Sequence, residues 1–217
     1  MTTTTAGTLL TEAVHRRLRE EIFDGTLAPG TPLSVPALAA RLGASRSPVR
    51  ESVQQLIHEG LAVYTPRAGA RVAVLDDTTM RSLLEVREVL EGLAARQAVG
   101  HATLADFTDL RGMLADQERM LVGPPDARRD QDMDLDFHTR IRLLSRNVPL
   151  EATLRRLHVQ GYLYRSPTWQ REQDRRFALV EHQRILDAIE VGDAVAAEAS
   201  ARAHVAGLCV RLMRRPG

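Results

Sequence analysis

The chain has a single cysteine, Cys209, in 217 residues. It can therefore form neither an intrachain disulfide nor a thiolate metal cluster. No apolar run approaches the roughly 18 residues that a membrane-spanning helix needs. Met1–Gly7 is mostly threonine. It lacks the basic start and apolar centre of a secretory signal, so a cytoplasmic location is expected. Excess charge is missing too: the formal net charge is +1. That excludes a polybasic tail or histone-like particle, although an acidic remainder can mask a small basic face. Lysine is absent, and all 29 basic side chains are arginine; this bias says nothing firm about function. Hydrophobic residues make up 44% and charged residues 26%, which excludes a wholly disordered chain. The length suits one large domain or two small ones.

The chain divides by pattern. Residues 1–75 carry eight arginines against six acids, and residues 76–217 carry 21 against 22. Residues 9–75 read as one domain. Val14, Leu18 and Ile22 recur every fourth residue and predict a helix over Glu12–Phe23, ended by Asp24-Gly25. Ser34 can cap a short second helix with Pro36 in its first turn and Leu38, Ala39 and Leu42 on its apolar face. Gly43-Ala44 breaks it. A third helix starts near Ser45 or Ser47, buries Val49, Val53, Leu56 and Ile57, and stops at Gly60. Leu61–Tyr64 and Ala70–Leu75 then read as two short strands of a hairpin. Helix, helix, tight turn, helix, hairpin is the order of a winged helix-turn-helix.

Residues 78–213 read as an all-helical antiparallel bundle. The expected helices are Thr78–Val99, Leu104–Leu121, Asp130–Ser145, Leu150–Tyr164, Asp174–Glu190 and Asp193–Met213. Gly123-Pro124-Pro125 and Ser166-Pro167 interrupt them. The fold class is thus mainly α, with a winged helix-turn-helix followed by a bundle large enough for its own core.

In a helix-turn-helix the second helix of the pair enters the major groove by its N-terminal end. Here that end is Ser45-Arg46-Ser47-Pro48-Val49-Arg50. Arg46 and Arg50 share a face opposite Val49, Val53 and Leu56, and arginine bonds both guanine edges and phosphates. Ser45 and Ser47 can donate to phosphate at the helix start, and Ser34 at the start of the preceding helix is placed with them. Arg67 and Arg71 flank a hairpin turn that Gly69 lets bend tightly, forming a basic wing. The alternative for each arginine is a solvated surface side chain.

These segments resemble a known family. Ile22–Gly30, then Leu38-Ala39-Ala40-Arg41-Leu42-Gly43-Ala44-Ser45-Arg46-Ser47-Pro48-Val49-Arg50-Glu51, then Glu59-Gly60-Leu61, are similar to the DNA-binding domain of GntR-family bacterial transcription regulators. Ser52 and Val53 stand where the family often has alanine and leucine. The resemblance implies that Arg46 and Arg50 contact bases and phosphates, and that the turn at Gly69 reaches the minor groove.

The second part holds a constellation of its own. Asp134 and His138 lie one helical turn apart on one face. His182 shares a face with Ile185, Leu186 and Ile189, and His204 precedes Leu208 by one turn. Brought together, one carboxylate and three imidazoles suit Zn²⁺ first, and Ni²⁺, Mn²⁺, Fe²⁺ or Co²⁺ as well. Singly, each histidine reads equally as a hydrogen-bonded core residue and the aspartate as a salt-bridged one.

Val86–Ala95, Asp134-Leu135-Asp136-Phe137-His138, Glu181–Ile189, and Gly192-Asp193 with His204 resemble the FCD ligand-binding domain of the FadR-like branch of that family. In its metal-binding members an aspartate and three histidines at these motif positions hold the ion, and all four are present here. Open positions on such an ion suit a small organic acid effector, and a homodimer would present two recognition helices to an inverted repeat; the resemblance implies repression released by the effector. The resemblance makes Arg87 the first candidate to anchor an effector carboxylate; Tyr162, Tyr164 and Arg165 are further pocket candidates. The alternative for Arg87 is an intrahelical pair with Glu91. A metal-dependent enzyme is the rival class. Against it, Asp136 lies on another helix face from the four ligands, Cys209 has no evident base, and a winged helix serves no catalysis. The expectation is a DNA-binding transcription regulator, a repressor controlled by an organic acid at or near the metal.

Overall fold

The structure, a computed structural model, describes the backbone of residues 3–164 and 168–213 and, within these, the side chains of 9–164 and 169–213. The chain forms two compact units. One comprises the chain up to Asp76 together with Val159–Tyr164; the other comprises Asp77–His158 and the chain after Tyr164.

The first unit contains α1 (Thr3–Phe23), α2 (Val35–Leu42), α3 (Arg46–His58), β1 (Ala62–Thr65) and β2 (Gly69–Val72). Helix α1 starts well before the expected Glu12. The extension contains no proline, and tertiary ties hold its end. The Thr11 hydroxyl donates to Glu51 at 3.0 Å, and the Ser52 hydroxyl donates to the Thr11 carbonyl at 3.1 Å. Ser34 and Ser45 occupy the N-cap positions of α2 and α3 in extended backbone, but neither side chain makes a capping hydrogen bond. Gly43 ends α2 in the left-handed region at φ 62°, where a side chain adds strain. The two strands pair antiparallel, Ala62 with Val72 through Thr65 with Gly69. The other edge of β2 takes Thr31–Leu33, through Val72 N–H to the Thr31 carbonyl and Leu33 N–H to the Ala70 carbonyl. Val14, Leu18, Ile22, Leu38, Val49, Val53, Leu56, Leu61 and Val72 fill the core, joined by Val159 and Leu163.

The second unit contains α4 (Asp77–Ala98), α5 (Leu104–Met120), α6 (Ala127–Leu144), most of α7 (Val148–Gly161), a short 3-10 helix (Thr168–Gln170), α8 (Glu172–Glu190) and α9 (Ala194–Met213). The helix expected over Leu150–Tyr164 thus ends at Gly161, and its last residues belong to the first unit. Thr103 and Asp106 form a reciprocal capping box at the start of α5. Helix α9 lies between α4 and α8, while α6 packs on α4 and α5. Buried alanines at 94, 95 and 98 on α4 and at 197 and 201 on α9 keep that contact close. A Cβ added at Gly92 would come within 2.6 Å of the Arg202 side chain. The main apolar core is Leu110, Leu114, Phe137, Ile141, Leu144, Ile185, Leu186 and Ile189 with Ala95, Ala98, Ala197 and Ala201; Ala94 packs with Leu150 and Leu154. No helix among the described residues is long and apolar enough to cross a membrane.

One ion pair ties α1 to α2. Buried Glu21 accepts from the Arg41 guanidinium through both oxygens, at 3.0 and 2.6 Å, and from Arg17 at 3.0 Å. The Arg41 hydrogen bond is the largest influence on the Glu21 carboxyl and lowers its pKa, despite the opposing effect of burial. The pair therefore stabilises the fold above the pKa of a free glutamate, about 4.3, and that contribution is lost as the pH falls through the depressed folded value. Glu21→Gln is expected to cost about 1–2 kcal/mol at pH 7, because Arg41 is half-exposed and partly solvated without its partner. Urea unfolding of both proteins from pH 7 to pH 2.5 checks this. The difference should close in acid; a difference independent of pH contradicts the assignment.

Candidate functional site

Helix α6 turns a polar stripe inward. Asp130, Asp134, His138 and Arg142 follow one another every fourth residue, and all are buried, beside Phe137, Ile141 and Leu144. The neighbouring helices meet this stripe with polar groups of their own: Arg87 and Glu91 from α4, Arg175 and His182 from α8, and His204 and Arg211 from α9. Burying so many ionisable groups costs stability unless each finds a partner.

The four residues expected as metal ligands come together. One ligand atom from each of Asp134, His138, His182 and His204 lies within 4.8 Å of all the others. His138 Nε2 is 3.1 Å from His204 Nε2, and Asp134 Oδ1 is 3.3 Å from His182 Nε2 and 3.7 Å from His138 Nε2. The outer nitrogens fix two of the rings. His204 Nδ1 lies 2.9 Å from Glu181 Oε2. A carboxylate only accepts, so Nδ1 carries a proton and Nε2 is the atom turned to the cluster. Gln117 donates its amide to the Met133 carbonyl, which leaves Oε1 to accept from His182 Nδ1 at 3.0 Å. His182 Nε2 is likewise turned inward and has no hydrogen-bond partner among the described residues. A carboxylate, several converging imidazole nitrogens and outer hydrogen bonds that orient the rings form the donor set that binds a divalent cation.

Burial disfavours the charged form of His138, His158 and His182. Burial drives the His138 and His182 pKa values down, against the pull of Asp134. Burial also drives down His158, helped by Arg87 and Arg142. Burial alone would raise Asp134, but His138, His182 and His158 outweigh it and hold the carboxylate well below its usual range. Burial would likewise raise Glu181; hydrogen bonds from His204 and Arg211 instead bring it to about 2.

Several participants carried no signal in the sequence reading. Glu181 precedes a candidate ligand and orients another. Gln117 lies on α5. His158 on α7 sits 3.5 Å from Asp134 Oδ2 through Nε2, and its Nδ1 faces Arg142 at 2.8 Å and Arg87 at 3.2 Å. Arg142 pairs with Glu91, to which Arg87 is also bonded at 3.3 Å. The four-residue spacing of Asp130, Asp134, His138 and Arg142 was a readable clue. A cavity of about 20 Å³ reaches Asp134 and His182, lined also by Gln117, Asp130, Trp169 and Arg175. Arg175 pairs with Asp130 at 2.8 Å there.

Of the expected effector residues, Arg87 is buried and makes the alternative intrahelical pair with Glu91 while also facing His158. Tyr162 and Tyr164 group with the first unit, where the Tyr162 ring meets Phe23 edge-on at 5.2 Å. Arg165 lies outside the described residues.

In the first unit, Arg46 and Arg50 are exposed at the start of α3, with Ser45 and Ser47. Ser47 bonds Glu51 at 3.2 Å. Arg67 sits at the hairpin tip with φ 66° and Gly69 with φ 77°. The arginine there bears a backbone conformation that L side chains rarely adopt, a strain that turn geometry imposes. Arg71 reaches the Gly30 carbonyl at 3.4 Å. A groove of about 510 Å³ runs between hairpin and helices, lined by Ser34, Arg50, Gln54, Tyr64, Arg67 and Gly69 among others.

The buried neutral histidines imply a pH dependence. Their folded pKa values lie below the ordinary value of about 6.5, so the unfolded chain takes up protons that the fold refuses. Stability of the metal-free protein should fall by at least about 1 kcal/mol per pH unit below that value. Urea unfolding between pH 7.5 and pH 5 measures the slope; a flat profile contradicts burial of neutral rings.

Comparison with known proteins identifies the family of both parts of the chain. Residues 10–72 match the family model described as bacterial regulatory proteins, gntR family, and residues 82–207 match the FCD domain. The chain is 33% identical over 157 residues, 72% of each protein, to the Nta operon transcriptional regulator of Aminobacter aminovorans. It is 26% identical over 204 residues, 89% of this chain and 85% of the other, to the HTH-type transcriptional repressor RspR of Escherichia coli. Its fold is that of the solved structure of E. coli McbR/YncC, with a TM-score of 0.77 at 21% identity over 94% of this chain and 96% of that one. An N-terminal winged helix-turn-helix joined to a helical FCD domain makes this chain a member of the gntR family of bacterial regulatory proteins, a DNA-binding transcriptional regulator rather than an enzyme.

Proposed function

We propose that the protein is a cytoplasmic homodimeric repressor whose hold on operator DNA is controlled by a small organic acid bound at or near a divalent metal ion in its helical domain. The domains run over residues 9–75 and 78–213. The observation that carries the reading is the convergence of Asp134, His138, His182 and His204, with the outer nitrogens of His182 and His204 oriented by Gln117 and Glu181. Zn²⁺ is the first candidate, and Ni²⁺, Mn²⁺, Fe²⁺ and Co²⁺ suit the same nitrogen and oxygen donors. The ion would supply a Lewis-acid position for an effector oxygen, with Arg87 offering charge nearby. In a second reading the ion is purely structural; the size of the cavity at Asp134 and His182, about 20 Å³, favours it, because small-molecule pockets are usually far larger.

At the other end, a dimer presents two copies of α3 to an inverted repeat. Arg46 and Arg50 reach base edges and phosphates. Ser34, Ser45 and Ser47 reach phosphates, and Arg67, Gly69 and Arg71 form the wing. Effector binding then shifts the population of the DNA-competent arrangement.

Two experiments test this. Elemental analysis of protein dialysed against Zn²⁺ should find one ion per chain. Stripping it should lower Tm by about 5–15 °C, since a ligand present at about 1,000 times its Kd adds roughly 4 kcal/mol to the folded state. An unchanged melting curve after verified removal contradicts the metal reading. For the DNA end, the wild-type protein selects its own duplex from a random-sequence pool. Arg46→Ala and Arg50→Ala should each weaken binding to that duplex about 10–100-fold and leave the elution volume of the protein unchanged. Wild-type affinity in both variants would sink the placement of the reading helix.

A further inference from the structure

Helix α7 belongs to both units. Its first turns pack in the second, where Leu150 and Leu154 meet Ala94. Its last turn and the residues after it, Val159–Tyr164, belong to the first. The division falls between His158 and Val159, and the chain on each side of it is tied down within its own unit.

His158 is buried against the candidate ligands. Its Nδ1 lies 2.8 Å from Arg142 Nη2 and 3.2 Å from Arg87 Nη2. A guanidinium only donates, so Nδ1 accepts and the ring proton sits on Nε2. That N–H faces Asp134 Oδ2 at 3.5 Å, while Asp134 Oδ1 faces His182 and His138. His158 is thus the group on α7 that meets the back of the one carboxylate in the candidate donor set. Outer partners of this kind fix where a metal-binding carboxylate points, and the constraint acts equally in the other direction.

Val159 and Leu163, one and five residues further on, are buried in the core of the winged helix-turn-helix. The Tyr162 ring meets Phe23, at the end of α1, edge-on at 5.2 Å. Gln160 lies over Gly60, just beyond the end of α3; a Cβ added at Gly60 would overlap the Gln160 side chain. Tyr162, Leu163 and Tyr164 N–H donate to the Val159, Gln160 and Gly161 carbonyls, which keeps this stretch wound. The C-terminal end of the reading helix therefore rests on the few residues that follow His158.

We propose that α7 is the element through which the metal position acts on the reading helix, and that His158 is the positioning residue where the signal enters. This rests on the metal-regulator reading above. An ion fixes Asp134 through Oδ1, and Asp134 fixes His158 through Oδ2. One residue later the chain is in the core that carries α3. Without the ion the carboxylate can turn toward either histidine beside it, and α7 loses a fixed point. Metal and operator then favour the same arrangement, and each raises affinity for the other by one common factor.

The test uses full-length protein, loaded with Zn²⁺ or stripped, with metal content measured in each sample, and the duplex that the wild type selects from a random-sequence pool. Zn²⁺ should tighten duplex binding by the wild type about fivefold or more, and the duplex should tighten Zn²⁺ binding by the same factor. His158→Leu should still hold the ion and the duplex, but with the coupling lost. His158→Gln should restore most of it, because its amide oxygen accepts from the guanidiniums while its N–H reaches Asp134. Gln160→Ala removes a half-buried side chain outside the metal site, and should weaken the coupling while leaving Zn²⁺ affinity in the absence of DNA unchanged. A merely structural His158 would lower Tm and duplex affinity with and without the ion alike, and the coupling would stay at its wild-type value. Absence of coupling in wild-type protein that holds the ion, or coupling undiminished in either His158→Leu or Gln160→Ala, overturns the inference while leaving the metal and DNA readings intact. Failure of the wild type to hold Zn²⁺ removes both the inference and the metal reading.

Discussion

The helical domain is organised by the need to satisfy one buried polar stripe. Asp130, Asp134, His138 and Arg142 project from α6 into a bundle whose other contacts are leucine, isoleucine, phenylalanine and alanine. In such a medium an unpaired charge is expensive. Each neighbouring helix therefore contributes a matching group at the level where the stripe meets it: Arg175 opposite Asp130, His182 and His204 around Asp134 and His138, and Glu91 against Arg142. This arrangement fixes the register of α4, α8 and α9 around α6 more narrowly than apolar packing does, because a shift of one turn would leave several charges without partners. Apolar residues drive the bundle together; the stripe decides how its helices align.

A stable regulator does not need such a seam, since a well-packed apolar core of the same volume is usually at least as stable. Its retention makes sense if the seam binds something. The outer hydrogen bonds of His182 and His204 turn their Nε2 atoms into this polar interior.

Much of this was legible in the sequence. Helix periods gave the order of elements, because Val14, Leu18 and Ile22 in α1, and Ile185, Leu186 and Ile189 in α8, mark buried faces directly. Asp134 and His138 announced themselves by spacing, and His182 and His204 by their places on apolar helix faces; the resemblance to FCD domains then joined the four. The orienting shell was not legible. Glu181 stands next to His182 in sequence yet bonds His204, a relation that depends on how α8 and α9 pack. Gln117 and His158 have no motif, and Arg142 on a helix otherwise rich in arginine reads as a surface charge until its side chain is seen buried. The segment Leu150–Tyr164 kept a continuous helical pattern, so nothing in its period showed that Val159 and Leu163 serve the core of the first unit. A period reports that a face is buried, not what buries it.

The central claim is that three imidazoles and one carboxylate share one ion, and zinc-edge X-ray absorption on the loaded protein tests it most directly. The account predicts a first shell at roughly 2.0–2.1 Å with the multiple-scattering signature of three imidazoles, and loss of one imidazole in His204→Ala. A shell of oxygen atoms without imidazole, in protein that retains zinc, would contradict it.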